Sequence, residues 1–477
     1  MIGSGEHSLS AGSRDQTLWI APGGMVWSLL VGAAIVAQPG IGLALLLAPA
    51  YAALVLVNLA LGLALWVPFT FLGGVSALNA AGKATGLLVA AAWLGNLQSL
   101  PRAATAALHR HRILLMTLAA TVAWLTFSLA WSEDPGRGLE DLWHWYVVVL
   151  LFVVVMTTVT TTRALQLILA AFVAGGVISV AIGVFDGSLV SSLDGTDRFA
   201  GGAGDANVLA AGILPATVLA AALLTDTRSS ALRGLLLGAI VLLVAGWVAT
   251  ESRGGAVAAV VAIAAAFVLF KERRREVAAI AALALGVAAL TFVTSPGTWE
   301  RVTSPKDDNG RADLRTVAWR MGEDEPLTGV GLNNFTVHSP EYVREPGELT
   351  YVGLIVDDPH VVHNTYLQLF AENGVVGLAL FLGVVGGCLR AAKLAADRFG
   401  ARGERSLETL ARAVMVATIG VLAADLSISA ATDQKLWLLL ALGPALLTVA
   451  SLARAGGRVT GERLTTRTAG VIQGAKA

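Results

Sequence analysis

Long apolar runs separated by short polar turns fill almost the whole chain. Clear runs occupy 80–97, 112–131, 139–158, 165–185, 206–224, 232–249, 254–270, 277–294, 364–391, 408–429 and 434–453. Each approaches the ~20 residues that a helix needs to cross a bilayer. The region 25–73 is also apolar, but Gln38-Pro39-Gly40 and Pro49 interrupt it. It accommodates two full spans or three short ones. The pattern predicts an all-α polytopic membrane protein with about 12–14 transmembrane helices. One integral membrane domain is expected over 25–453, flanked by a disordered tail at 1–24 and a cytoplasmic tail at 454–477. One polar excursion, 295–363, breaks the pattern and is predicted to be a large extracytoplasmic loop with short helices.

Composition agrees with this reading. The chain is 56% hydrophobic and 14% charged, with a mean hydropathy of +0.71. Soluble domains carry about a quarter charged residues. Formal net charge is +0, so no global field suggests a nucleic-acid partner. The single cysteine, Cys388, excludes an intramolecular disulfide and any cysteine-based metal site. Lys and Arg gather in alternate loops, at Arg102–Arg112, Arg163, Arg228–Arg233, Lys271–Arg275, Lys393–Arg405 and Arg454–Arg463. The positive-inside rule puts that side in the cytoplasm and the polar excursion outside.

Four polar stretches fall on the predicted outer face. Arg198-Phe199 leads through glycines to Asp205 and Asn207, either of which suits a helix cap. An arginine here runs against the positive-inside bias, although a snorkelling side chain is the plainer alternative. Thr250-Glu251-Ser252-Arg253-Gly254-Gly255 is a short turn between two apolar runs, where Glu251 could simply neutralise Arg253. Arg311, Arg315 and Trp319 share one face of a short helix expected over 312–321, a face that could equally be a solvated one. His363-Asn364 opens a span that carries Glu372. At a helix N-terminus the dipole favours a neutral imidazole, which can act as a general base. For His360, ordinary capping and hydration suffice. Guanidinium forks match phosphate geometry. No Walker loop and no Asp-rich metal motif accompanies them.

Together these stretches resemble the O-antigen ligase and polymerase family of bacterial membrane glycosyltransferases. The resemblance rests on Arg198-Phe199-x-Gly201 leading to Asn207, then Ser252-Arg253-Gly254-Gly255. Pro326 through Gly331 with Phe335 follows, and then His363-Asn364-x-Tyr366 with Glu372-x-Gly374-x-x-Gly377. Through topology and motif order it covers about residues 110 to 450. It implies a GT-C-like helical bundle in the bacterial cytoplasmic membrane. The implied activity transfers a glycan from an undecaprenyl diphosphate carrier to a glycan or lipid acceptor hydroxyl, without metal or cofactor. Arg198 and Arg253 would bind the diphosphate, Arg315 or Arg311 would complete the clamp, and His363 would activate the acceptor. Asn207, Asn364 and Glu372 would support them. A ligase and a chain polymerase both fit. A transporter is the alternative of another class, and would need polar groups at mid-membrane. A non-catalytic scaffold of an envelope complex is a third.

The predicted orientation is directly testable. In a Cys388→Ser background, a cysteine at Ser304 should react with a membrane-impermeant thiol reagent on intact cells, and one at Ser451 should not. Labelling of the second without the first would reverse the topology.

Overall fold

The computed structural model describes residues 39–452 except 100, 188–189, 192–197, 295–309, 344–348, 350–351 and 358. The expected terminal tails and the first part of the polar excursion fall outside these residues. The described chain is almost wholly helical, with one two-residue strand pair, β1 (Val190–Ser191) and β2 (Arg198–Phe199). Eight helices are long and apolar enough to cross a membrane, or up to ten if each of two bent pairs counts as one span. The chain is thus an all-α, multi-pass membrane protein.

The early region resolves into two short helices, α1 (Pro39–Val57) and α2 (Leu59–Trp66). Asn58 separates them, its side chain accepting the Leu61 N–H at 3.1 Å. Then come α3 (Ser76–Gly95), α4 (Arg102–Arg110), α5 (Arg112–Ser128), α6 (Pro135–Thr158) and α7 (Thr162–Asp186). Helices α8 (Ala206–Asp226), α9 (Ser230–Ala249), α10 (Arg253–Leu269) and α11 (Arg274–Thr294) follow. The runs 254–270 and 277–294 do not form two straight spans. They bend by 101° at a single turn around Lys271–Arg273. Five charged side chains in Lys271–Arg275 cannot continue an apolar span, so the chain turns there.

The polar excursion contains α12 (Arg311–Asp324), α13 (Phe335–Tyr342) and the single turn α14 (Gly353–Val356). Then follow α15 (Thr365–Ala401), α16 (Arg405–Ala424) and α17 (Gln434–Leu452). Helix α17 is the axis of the bundle, with 89% of its apolar window buried. Trp437 on it meets Trp145 and Phe152 edge to face, with centroids 6.0 and 6.1 Å apart. Basic residues collect at one end, where Arg402 donates to the Ala450 carbonyl at 2.8 Å and Arg405 pairs with Glu272 at 3.2 Å.

Helix α15 is broken. Gly374 inside it has φ +64° and ψ −173°, which no helix tolerates. The segment 326–331 lies along the break as a strap. Val330 N–H donates to Ala371 O at 3.0 Å, Gly331 N–H to Glu372 O at 2.8 Å, and Val375 N–H to Pro326 O at 2.8 Å. Trp124 Nε1 donates to Asn373 O at 3.0 Å, and Trp131 Nε1 to Gly329 O at 3.2 Å. Backbone groups freed by the break thus find partners, as they must in a low-dielectric interior. The strap needs glycine because backbone approaches backbone. Gly329 has φ +63°, and a Cβ there would overlap the Glu372 carbonyl. Gly329→Ala should therefore lower stability by roughly 2–4 kcal/mol, through left-handed strain plus overpacking. Gly386, with nothing near its missing Cβ, is the control. Thermal unfolding in detergent should separate the two alanine variants clearly.

Candidate functional site

The end of the bundle away from the basic cluster holds the four motif stretches. Arg198 on β2 donates from Nε to the Thr250 carbonyl at 3.0 Å and from Nη2 to Asn207 Oδ1 at 3.0 Å. The Ser252 hydroxyl donates to the same Asn207 oxygen at 2.9 Å, and accepts the Gly255 N–H at 3.1 Å as the cap of α10. Three loops are thereby one hydrogen-bonded corner. Asp205, not Asn207, caps α8, accepting the N–H groups of Asn207 and Val208 at 2.8 Å each. That releases the Asn207 amide to join the corner. Half-buried Arg253 follows directly as the first residue of α10.

A second set of bonds carries this corner to His363. Gly254 lies against Ser427, whose Oγ would sit 2.6 Å from a Cβ at Gly254. Ser427 belongs to the turn 425–430 after α16, and that turn receives the mouth of α15. Thr365 N–H donates to both Asp425 O and Ile428 O at 2.9 Å. Its hydroxyl donates to Ile428 O at 2.8 Å and accepts the Ala430 N–H at 2.9 Å. Asn364 caps α15, taking the N–H groups of Tyr366 and Leu367 at 3.0 Å each. His363 stands just before the cap, half-buried, with φ +52°. Among the described residues only Glu251, Asn333 and His363 are non-glycine residues with positive φ. Each lies in or beside a motif stretch, and strained backbone of this kind concentrates at functional sites.

The third side is the polar excursion. Helix α12, predicted over 312–321, runs Arg311–Asp324 and packs on α15 and α13 through Leu314, Val317, Ala318 and Met321. Arg311 opens α12 and Arg315 follows one turn later, on a helix seated against α15. Arg315 Nε is buried without a hydrogen-bond partner among the described residues. Glu372 is fully enclosed. It accepts the Gln368 amide at 3.1 Å and backbone bonds from Asn333 and Phe335, so it ties the residues just after the strap to α15.

Several contributors had no local signature. Thr365 is one unremarkable residue between Asn364 and Tyr366. Asn334 holds Asp134 by two bonds, donating to its carbonyl at 3.1 Å and accepting its N–H at 2.8 Å. Asp425 is wholly buried, and neither carboxylate oxygen has a hydrogen-bond partner among the described residues. Glu133, His338 and Glu341 place metal-ligating atoms within 4.8 Å of one another. His338 also sits in ordinary ion-pair range of both glutamates, at 3.5 and 3.7 Å. None of the three belongs to the arginine corner.

Residues 238–382 match the family model described as O-antigen ligase. Over that stretch the chain is similar to the O-antigen ligase family. The matched stretch is under a third of the 477 residues. It includes Arg253, Arg311, Arg315, His363, Asn364 and Glu372, while Arg198 and Asn207 precede it. No curated protein matches the chain. That similarity supports a glycosyltransferase of the ligase and polymerase type.

The corner itself can be tested without activity. Asn207→Ala removes the acceptor of Arg198 Nη2 and of the Ser252 hydroxyl. A loss of roughly 1–3 kcal/mol is expected, read as a lower unfolding temperature. Ser252→Ala should cost about 1 kcal/mol through the lost cap. The double variant should lose less than the sum, because both remove the same bond.

Proposed function

We propose that the chain transfers a glycan from an undecaprenyl diphosphate carrier to an acceptor hydroxyl. The reaction would take place at the extracytoplasmic face of the bacterial cytoplasmic membrane. The observation that carries this reading is the shared turn 425–430, with Arg253 on one flank through Gly254–Ser427 and His363 on the other through Thr365. A cation that binds phosphate and an imidazole that takes a proton are thus fixed to one rigid element.

In this reading the acceptor oxygen attacks the anomeric carbon of the donor while its proton passes to the His363 imidazole. The bond from that carbon to the phosphate oxygen breaks, and its electron pair leaves on the carrier diphosphate. Arg253 meets the growing negative charge with a bidentate fork. Arg198, already bonded to Thr250 and Asn207, holds the corner and adds positive charge beside it. Arg315 or Arg311 approaches from α12 and closes the clamp over the diphosphate. The mechanism is the same for a ligase and a polymerase. Lipid-linked intermediates from a deletion strain separate the two, since full-length glycan accumulates without a ligase and single repeat units without a polymerase.

His363→Ala and His363→Gln should each slow transfer at least ~100-fold with donor binding retained, because an amide cannot accept the proton. Arg253→Lys should weaken donor binding roughly tenfold or more, since a point charge does not reproduce a fork. Purified protein in nanodiscs, a polyprenyl-diphosphate oligosaccharide donor and separate binding and turnover assays provide the readouts. Near-normal turnover by the Gln variant would remove the proton-transfer role.

A further inference from the structure

A polar cavity of about 70 Å³ lies on the other flank of the α15 mouth. Its walls include Asp141 from α6, Thr365, Gln368 and Glu372 from α15, and Ser429 and Thr432 from the following turn. Thr365 lines it, so the cavity begins two residues from His363. It is not sealed, because the Asp141 side chain keeps 30% of its surface exposed. Building such a polar hollow from two carboxylates is unfavourable unless donors occupy it. Glu372 has its donors in Gln368, Asn333 and Phe335. Asp141 accepts only the Trp145 indole N–H among described hydrogen bonds, at 3.2 Å, and has His144 at 3.8 Å. The Ser429 hydroxyl is buried without a partner among the described residues.

We propose that this cavity is the acceptor subsite, taking a polar arm of a neutral sugar. The proposal rests on the transferase reading above. The carboxyl oxygens of Asp141 and Glu372 can take bonds from hydroxyl donors. Free hydroxyls of Ser429 and Thr432 can give or take the complementary bonds. Leu332, Leu369 and Ala431 supply the apolar patches that sugar C–H faces need. The volume equals about two waters at ~30 Å³ each, room for a hydroxymethyl arm and not for a whole ring. Charge sorts the two substrates. Guanidiniums on the Asn207 side draw the diphosphate, whereas no cationic side chain among the described residues lines this cavity. His363 stands at the boundary between the two, where the acceptor hydroxyl must lose its proton.

The test uses cysteine protection. A Thr432→Cys probe in the Cys388→Ser background is labelled with a small maleimide in the purified protein. Methyl glycosides of a hexose, an N-acetylhexosamine and a 6-deoxyhexose are the ligands, with pyrophosphate as the contrast. At least one glycoside should slow labelling about fivefold at about four times its Kd, and pyrophosphate should not. Gln368→Met, matched in length, should abolish the protection while the protein keeps its gel-filtration profile. Absence of protection by every glycoside overturns the proposal. So does equal protection by pyrophosphate, or protection that survives Gln368→Met. Turnover of wild-type protein separates the two readings. Lost protection with intact glycan transfer sinks the subsite alone, and protection without any transfer sinks the transferase reading alone.

Discussion

Backbone groups at the ends of helices in a membrane must find partners within the protein, and this constraint shapes one end of the bundle. Each unmet group costs several kcal/mol in an apolar setting. At this end α8, α10 and α15 begin, α16 stops, and α15 breaks at Gly374. Their loose N–H and C=O groups are met by Asp205, Ser252, Asn364, Thr365 and the strap 326–331. The same bonds that satisfy the helix ends fix Arg253 and His363 to a common turn. Structural necessity and site geometry are therefore one network.

The strap explains why the segment before α13 is rich in glycine. Gly329 and Gly331 have φ of +63° and +101° and let the segment lie directly on α15 and on Ser132. Helix α12 then rests on α15, with Trp319 against Phe370 at 5.7 Å between centroids. The described part of the polar excursion is in this way anchored on α15. Its arginines are carried by a helix whose apolar face is buried, so their approach is set by packing and not by a flexible tether.

Much of this was legible in the sequence. The apolar periodicity gave the helices, α12 was recognisable from its charged face and starting glycine, and motif order pointed to the family. Asn207 stood out as a supporting residue and as a possible cap. Only the fold reveals that Asp205 takes that role and frees the Asn207 amide for Arg198 and Ser252. The break at Gly374 had a local sign, the turn dipeptide Asn373-Gly374, although 364–391 reads as one apolar run. Thr365 and the cavity residues Asp141, Gln368 and Ser429 come from three separated stretches. Their meeting depends on tertiary contacts that leave no local periodicity. The bend at Lys271–Arg273 was visible as a charge cluster, yet its 101° angle was not.

The central claim is that the carrier diphosphate sits between Arg253 and His363, at the end of the bundle organised by the Asn207 corner. The most direct measurement is an experimental structure of the protein in nanodiscs containing a polyprenyl diphosphate. The account predicts diphosphate density within hydrogen-bond distance of the Arg253 guanidinium, on the His363 side of the turn 425–430. Density at the opposite end, among Arg398, Arg402 and Arg405, with the Arg253 side empty, would contradict it.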